Sequence, residues 1–223
     1  VFHISKGDIK KKRVVKLFIE AAADIIDEEG IEGVTIRKVA VRTGYNSATI
    51  YSYFENVKQL VFFAAAASLH DYVAAMPAYI SSGKTTLEQF LLMWECFCRY
   101  SFQKPRVYYS IFSDDIGAQP EALVAHYYEL FPEDLEEAPA YLQPMLRETD
   151  LRQRNLIAIG ICTRAGCFDP KDEEAVEEAT RLLYQGMLTL IINRRVHYSV
   201  DEAVRRTMRH IRKIVDGYVK RAG

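Results

Sequence analysis

The sequence predicts an all-α chain, with a helix–turn–helix near its start and a larger helical body behind it. Three observations carry that prediction. Apolar residues recur at three- and four-residue spacing through most of the 223 residues. No segment shows the strict alternation of a half-buried strand. Several helix starts carry capping residues at the expected offsets.

Residues 10–29 read as one amphipathic helix, with Val14, Phe18, Ala21 and Ile25 on its apolar stripe and Gly30 at its end. Thr35 is placed to cap a short second helix, in which Ile36, Val39 and Ala40 form the buried stripe. Gly44 sits where the chain must leave that helix in a left-handed conformation, which glycine adopts cheaply. Asn46 caps the third helix, whose Ile50 and Phe54 point inward. The other face of that helix shows Ser47, Ala48, Thr49, Tyr51, Ser52 and Tyr53, which are small or hydrogen-bonding and uncharged. Two short helices crossing at a tight turn are the unit that presents a helix to the DNA major groove.

Residues 56–75 read as one alanine-rich helix linking this unit to the body, ended by Met76–Pro77 and the SSGK of 81–84. Thr85 and Glu88 have capping-box spacing and open a helix to Gln103. Pro105 punctuates, residues 106–115 form a short aromatic helix or turn, and a further helix covers 120–131. The acidic, proline-containing stretch 133–144 reads as a loop, followed by one helix over 145–165 that stops at Gly166. Asp169–Pro170 starts a helix to about Arg195, and Ser199 with Glu202 forms a second capping box that opens the last one. There Val204, Met208, Ile211, Val215 and Tyr218 follow the alternating spacing of a helix seam. The expected total is nine or ten helices.

Composition narrows the function. The net charge of −1 excludes a polycation, but residues 1–60 hold ten Lys/Arg against eight Asp/Glu. Five of those bases crowd into residues 10–16, an arm suited to phosphate contact. The cysteines Cys96, Cys98, Cys162 and Cys167 have neither metal-ligand spacing nor the density of a disulfide framework, and read as reduced structural thiols. No metal or other cofactor is expected. The longest apolar run, 60–67, is short of a membrane span, and the start shows no apolar leader, so the expectation is a cytoplasmic protein without a membrane partner. Gly83-Lys84-Thr85 lacks the earlier glycine and preceding strand of a phosphate loop, and no HExxH or GxSxG occurs. The chain therefore does not read as an enzyme.

The run TGYNSATIYSYFENVKQL, residues 43–60, resembles the signature of the TetR family of one-component transcriptional regulators, and VTIRKVA before it resembles the family's second helix. The resemblance covers about residues 14–69. It implies a DNA-binding domain over 1–56 and a ligand-binding and dimerisation domain over 57–223. Lys11, Lys12, Thr35, Arg37, Asn46, Ser47, Ala48, Thr49, Tyr51, Ser52, Tyr53 and Lys58 are the implied DNA-facing set. Within it, Arg37 is suited to guanine or phosphate, or else to an ion pair with an acidic residue of the first helix; Ser47, Ala48 and Ser52 face bases, and Thr49 and Tyr51 hold phosphates. Tyr53 either joins them or packs half-buried on the first helix.

The same resemblance implies a ligand pocket in the body, for which Trp94, Phe97, Cys98, Tyr100, Tyr108, Tyr109, Phe112 and Tyr127 offer a lining, with Arg99 and the tyrosine hydroxyls to orient a lipophilic molecule. It also implies a homodimer through the last two helices, using Leu183, Met187, Leu190, Val204, Met208, Ile211 and Val215, although their apolar seams equally suit a cap on the monomer core. The expected function is a repressor that binds a palindromic operator as a dimer and is released by a small lipophilic effector. Two positions depart from the family pattern: Val57 stands where a Lys is frequent, and Glu55 adds a negative charge beside the DNA-facing set. They support an alternative, a ligand-binding or adaptor protein with the same fold that has lost specific DNA binding.

Overall fold

Helix α1 spans Ile9–Glu29 because its apolar phase is unbroken until Gly30, whose φ of 85° suits only glycine. The computed structural model describes residues 9–113, 120–136 and 138–220; residues 114–115, assigned above to the aromatic segment, lie outside them. Helices α2 (Ile36–Thr43) and α3 (Ser47–Tyr51) fold against α1 around Phe18, Val39, Ile50 and Phe54, all at most 2% exposed. Burying each such side chain contributes about 1.5–3 kcal/mol, which holds a five-residue helix that could not persist alone.

Helix α4 (Val57–Ala67) starts at Asn56, whose side chain accepts the Gln59 N–H at 2.9 Å. The sequence predicts one helix to Ala75, but the chain turns at residues 68–69. The Ser68 hydroxyl donates back to the Ala64 carbonyl at 3.1 Å, a local bond that competes with helix continuation. Pro77, expected to end the helix, lies inside α5 (His70–Ser81). By length and composition alone, residues 57–81 are long and apolar enough to cross a membrane, contrary to the expectation above. Here they are bent, and Leu60, Phe62, Phe63, Tyr72 and Met76 are buried in the core.

The capping box at Thr85 forms as expected: its hydroxyl accepts the Glu88 N–H at 3.1 Å and the Glu88 carboxylate accepts the Thr85 N–H at 3.2 Å. It opens α6 (Thr86–Gln103), the helix at the centre of the body. Next come α7 (Pro105–Phe112) and α8 (Pro120–Leu130). The predicted loop holds two 3-10 turns and leads into α9 (Gln143–Arg147). The single helix expected over 145–165 is instead α9 plus α10 (Leu151–Arg164), separated where Asp150 caps the second by accepting the Gln153 N–H at 3.0 Å. Helices α11 (Glu173–Ile192) and α12 (Val200–Tyr218) complete twelve α-helices, with no strand among the described residues.

Helix α6 packs on α5, α10, α11 and α12, while α4 packs on α1 to one side and on α7 and α8 to the other. One apolar core therefore runs from the three-helix head into the body. Part of the expected dimer seam is spent inside this core. Val204, Met208, Ile211 and Val215 are at most 4% exposed, packed where α12 meets α6 and α11, so they present no face to a second chain. The apolar side chains that α11 does turn outward are Leu182 (55% exposed) and Leu190 (41%), with Leu183 and Met187 half-buried beside them.

Candidate nucleic-acid interface and internal cavity

The turn between α2 and α3 is fixed by its caps. Thr35 accepts the Lys38 N–H at 3.2 Å, Gly44 takes a φ of 74°, and Asn46 accepts the Thr49 N–H at 2.8 Å. Thr35 and Asn46, both placed in the DNA-facing set, thus have their side-chain oxygens committed to the fold. Thr49 donates its hydroxyl to Asn46 Oδ1 at 3.1 Å, and Ser52 donates to the Thr49 carbonyl at 2.6 Å, so those hydroxyls present acceptors outward.

Ala48, Tyr51 and Ser52 are exposed on one face; Ser47 and Thr49 are half-buried. Tyr53 takes the packed alternative: its ring meets Phe18 edge-on at 5.8 Å. Two further exposed groups border this face. Val41 is 78% exposed, and Tyr45 is 38% exposed with its ring edge-on to Phe18 at 5.2 Å. Neither was singled out from the sequence, although an apolar Val41 on the polar phase of α2 is a readable signal.

The acids of α1 choose among the bases of α2. Arg42 binds Glu28 through both terminal nitrogens, at 3.1 and 2.6 Å, and this bond draws the Glu28 carboxyl below the ordinary carboxylate range. Lys38 pairs with Glu29 and donates to the Gly33 carbonyl at 3.1 Å. Arg37 is exposed and has no acidic partner among the described residues. Lys58 is exposed at the start of α4, where it borders an open cleft of about 620 Å³ between head and body, lined also by Val34, Arg106, Tyr109 and Ile192.

The expected basic arm is partly committed elsewhere. Lys12 pairs with Glu133 of the body at 3.3 Å and lies over the Phe131 ring at 5.4 Å; Lys11 is exposed on the same turn. Two more ion pairs tie head to body, Lys104–Asp27 at 2.9 Å and Arg106–Glu32 at 2.7 Å.

Inside the body lies a small cavity of about 40 Å³. Tyr72 of α5 and Phe90, Met93, Trp94 and Phe97 of α6 form one wall; Met145, Leu151, Arg154, Asn155 and Ala158 form the other. Of the eight residues proposed as a ligand lining, it brings together Trp94 and Phe97. Phe112 and Tyr108 stand just behind them, with Phe97–Phe112 and Phe97–Tyr108 centroids 5.4 and 5.6 Å apart. Tyr100 is half-buried against Tyr72, and Tyr109 faces the outer cleft.

Tyr127 belongs to a separate aromatic cluster with Phe63, Tyr128 and Phe131, and donates to Asp134 at 2.5 Å. Cys98 is buried away from the cavity, and burial pushes its thiol well up, as it pushes Cys96 and Cys162 to about 12. Arg99 pairs with Asp201 at 2.6 Å rather than facing the cavity.

The polar groups that do face it, Arg154 and Asn155, were missed. An arginine within a helix usually reads as surface, yet Arg154 falls on the phase of Leu151 and Ala158 and is only 5% exposed.

This geometry defines a helix–turn–helix protein with an attached helical body. Residues 18–63 match the family model of bacterial regulatory proteins, tetR family. No curated protein sequence matches the chain. Among solved structures, a protein of unknown function from Rhodococcus sp. RHA1 is similar over 93% of this chain and 96% of its own, with a TM-score of 0.59 and 14% identity. A TetR family transcription regulator from Marinobacter aquaeolei VT8 is similar over 97% of this chain and 100% of its own, with a TM-score of 0.54 and 16% identity. The ketosteroid transcriptional regulator of Mycobacterium tuberculosis is similar over 93% and 96%, with a TM-score of 0.51 and 14% identity. The chain as a whole therefore has the fold of TetR-family transcriptional regulators.

Proposed function

We propose that the chain is a ligand-responsive DNA-binding transcriptional regulator, a cytoplasmic repressor that binds a palindromic operator as a homodimer and is released by a small lipophilic effector. Residues 1–56 serve as the DNA-reading unit and 57–223 as the sensing and pairing unit. The observation that carries this reading is the face formed by Ala48, Tyr51, Ser52 and Arg37. It is uncharged along α3 and flanked by the Arg37 guanidinium, which has no acidic partner among the described residues, while Lys38 and Arg42 are paired with acids of α1. A flat face of this kind allows close approach to base edges, and Arg37 supplies a bidentate donor.

Pairing falls to α11, whose exposed Leu182 and Leu190 flank Gly186, where an added Cβ would meet nothing within 4 Å. Two-fold symmetry would place the recognition helices about 34 Å apart, one turn of the duplex. Selection from a randomised duplex pool at moderate salt tests the reading. Enrichment of a palindrome whose affinity falls steeply with salt supports it; no enrichment by a folded dimer sinks it. That second outcome favours the adaptor reading, which draws on Glu55 beside the DNA-facing set and on Lys12 held by Glu133.

A further inference from the structure

Arg154 is a buried cation with no acidic partner among the described residues. Its Nη1 donates to the carbonyls of Met145, Leu146 and Glu148 at 2.8, 3.3 and 3.2 Å, and its Nη2 donates to the Tyr72 hydroxyl at 2.9 Å. The ring centroids of Tyr72, Phe97 and Phe112 lie 5.3–5.6 Å from the guanidinium carbon. Carbonyl dipoles and aromatic faces soften the charge, but no carboxylate among the described residues pairs with it. The side chain lines the internal cavity. The buried hydroxyl of Tyr108, which packs on Tyr72, Phe97 and Phe112, also has no partner among the described residues. Arginines kept this dry are normally paired.

We infer that the cavity receives the head group of an anionic amphiphile, a carboxylate that pairs with Arg154 while its apolar body lies along α6. The inference rests on the ligand-responsive reading above and names the chemistry of that ligand. A volume of about 40 Å³ is far below the roughly 300–1,000 Å³ of a ligand pocket, so the cavity is too small for a whole ligand and can serve its head group only. The apolar body must enter by moving the wall, where Met93 and Met145 are the adaptable side chains. Phe90 and Trp94 give the cavity an apolar wall on the α6 side. An anion on Arg154 competes with the Tyr72 hydroxyl for Nη2, and Tyr72 sits on α5, next in the chain after α4. Ligand binding is thereby connected to the helix that carries the head.

Trp94 is the only tryptophan of the chain and lines the cavity, so its emission reports occupancy. The full chain is titrated with decanoate and with decan-1-ol, following Trp94 fluorescence and the thermal midpoint. Decanoate is expected to bind about tenfold tighter or better, the scale of a hydrogen bond to a charged group. Arg154→Gln, which keeps an amide for the Met145 carbonyl, should erase that preference while retaining decanol binding; Arg154→Lys should keep most of it. Equal affinity for acid and alcohol overturns the anionic assignment and leaves ligand-responsive regulation standing. No response to either probe overturns the pocket itself. Decanoate preference without release of a selected operator supports the pocket and sinks the regulatory reading. If Arg154→Gln does not fold, the wild-type acid-to-alcohol ratio and Arg154→Lys still decide the question.

Discussion

Arg42 grips Glu28 through both guanidinium nitrogens, whereas Arg37, five residues earlier on α2, has no acidic partner among the described residues. The two arginines therefore have different work. Arg42 fixes α2 on α1, whereas Arg37 is available to a phosphate or a guanine edge. Arg37→Ala should weaken operator binding about tenfold or more, with the thermal midpoint unchanged. Fluorescence anisotropy on a labelled operator, paired with thermal unfolding, checks both halves; undiminished binding would remove Arg37 from the interface.

Gly44 separates backbone from packing effects. A Cβ there meets no atom within 4 Å, yet its φ of 74° is costly for any other residue. Gly44→Ala should destabilise the chain by about 1 kcal/mol, entirely through the backbone. Urea titration gives the answer: an unchanged midpoint would mean that the turn relaxes.

The chain pairs through α11 if the outward leucines carry the contact. Leu182→Glu combined with Leu190→Glu should yield a folded monomer by analytical ultracentrifugation. Met208→Ala, by contrast, should cost about 2–5 kcal/mol of stability, because Met208 is 4% exposed within its own chain. A double-glutamate variant that remains dimeric would move the interface elsewhere.

Three thiols set an alkaline limit. Burial raises Cys96 and Cys162 from 9.0 to about 12, and Cys98 further. Their raised values mean that the folded chain holds protons which the unfolded chain releases above pH 9. Stability should therefore be full below pH 9 and fall as pH climbs towards 12. Denaturant midpoints between pH 8 and 10.5 should decline accordingly. At pH 8 a thiol reagent should modify half-buried Cys167 well before the other three.

Three ion pairs, Lys12–Glu133, Lys104–Asp27 and Arg106–Glu32, bridge head and body at exposed positions. Each contributes about 0–1 kcal/mol to stability, and all three lie where the head meets the body. Charge reversal at Arg106 and Lys104 should change operator affinity and the response to effector while moving the unfolding midpoint little. Unaltered operator affinity in the double reversal would show that the angle is set by the apolar core alone.

The head was legible because every device in it is local. Thr35, Gly44 and Asn46 act within four residues of themselves, and the inward Ile50 and Phe54 follow simple spacing. The body was less so. The bend at residues 68–69 carries no glycine or proline, and Pro77, the obvious breaker, sits quietly within α5. The seam on α12 has the spacing of a packed helix, and spacing alone does not distinguish a partner chain from α6 of the same chain. Arg154 was hidden by its residue type, since a charge predicts solvent unless its helical phase is counted.

On the proposed reading, the break at residues 68–69 lets α4 act as a lever arm. Its 11 residues span about 16 Å, with the reading head at the far end. A tilt of about 10° at that fulcrum carries the head through about 3 Å, close to the 3.4 Å rise of one base pair. Misregister by a single step is thus within reach of a modest rotation, and if the chain is the repressor proposed above, it would lose its grip on two half-sites without any part of it unfolding.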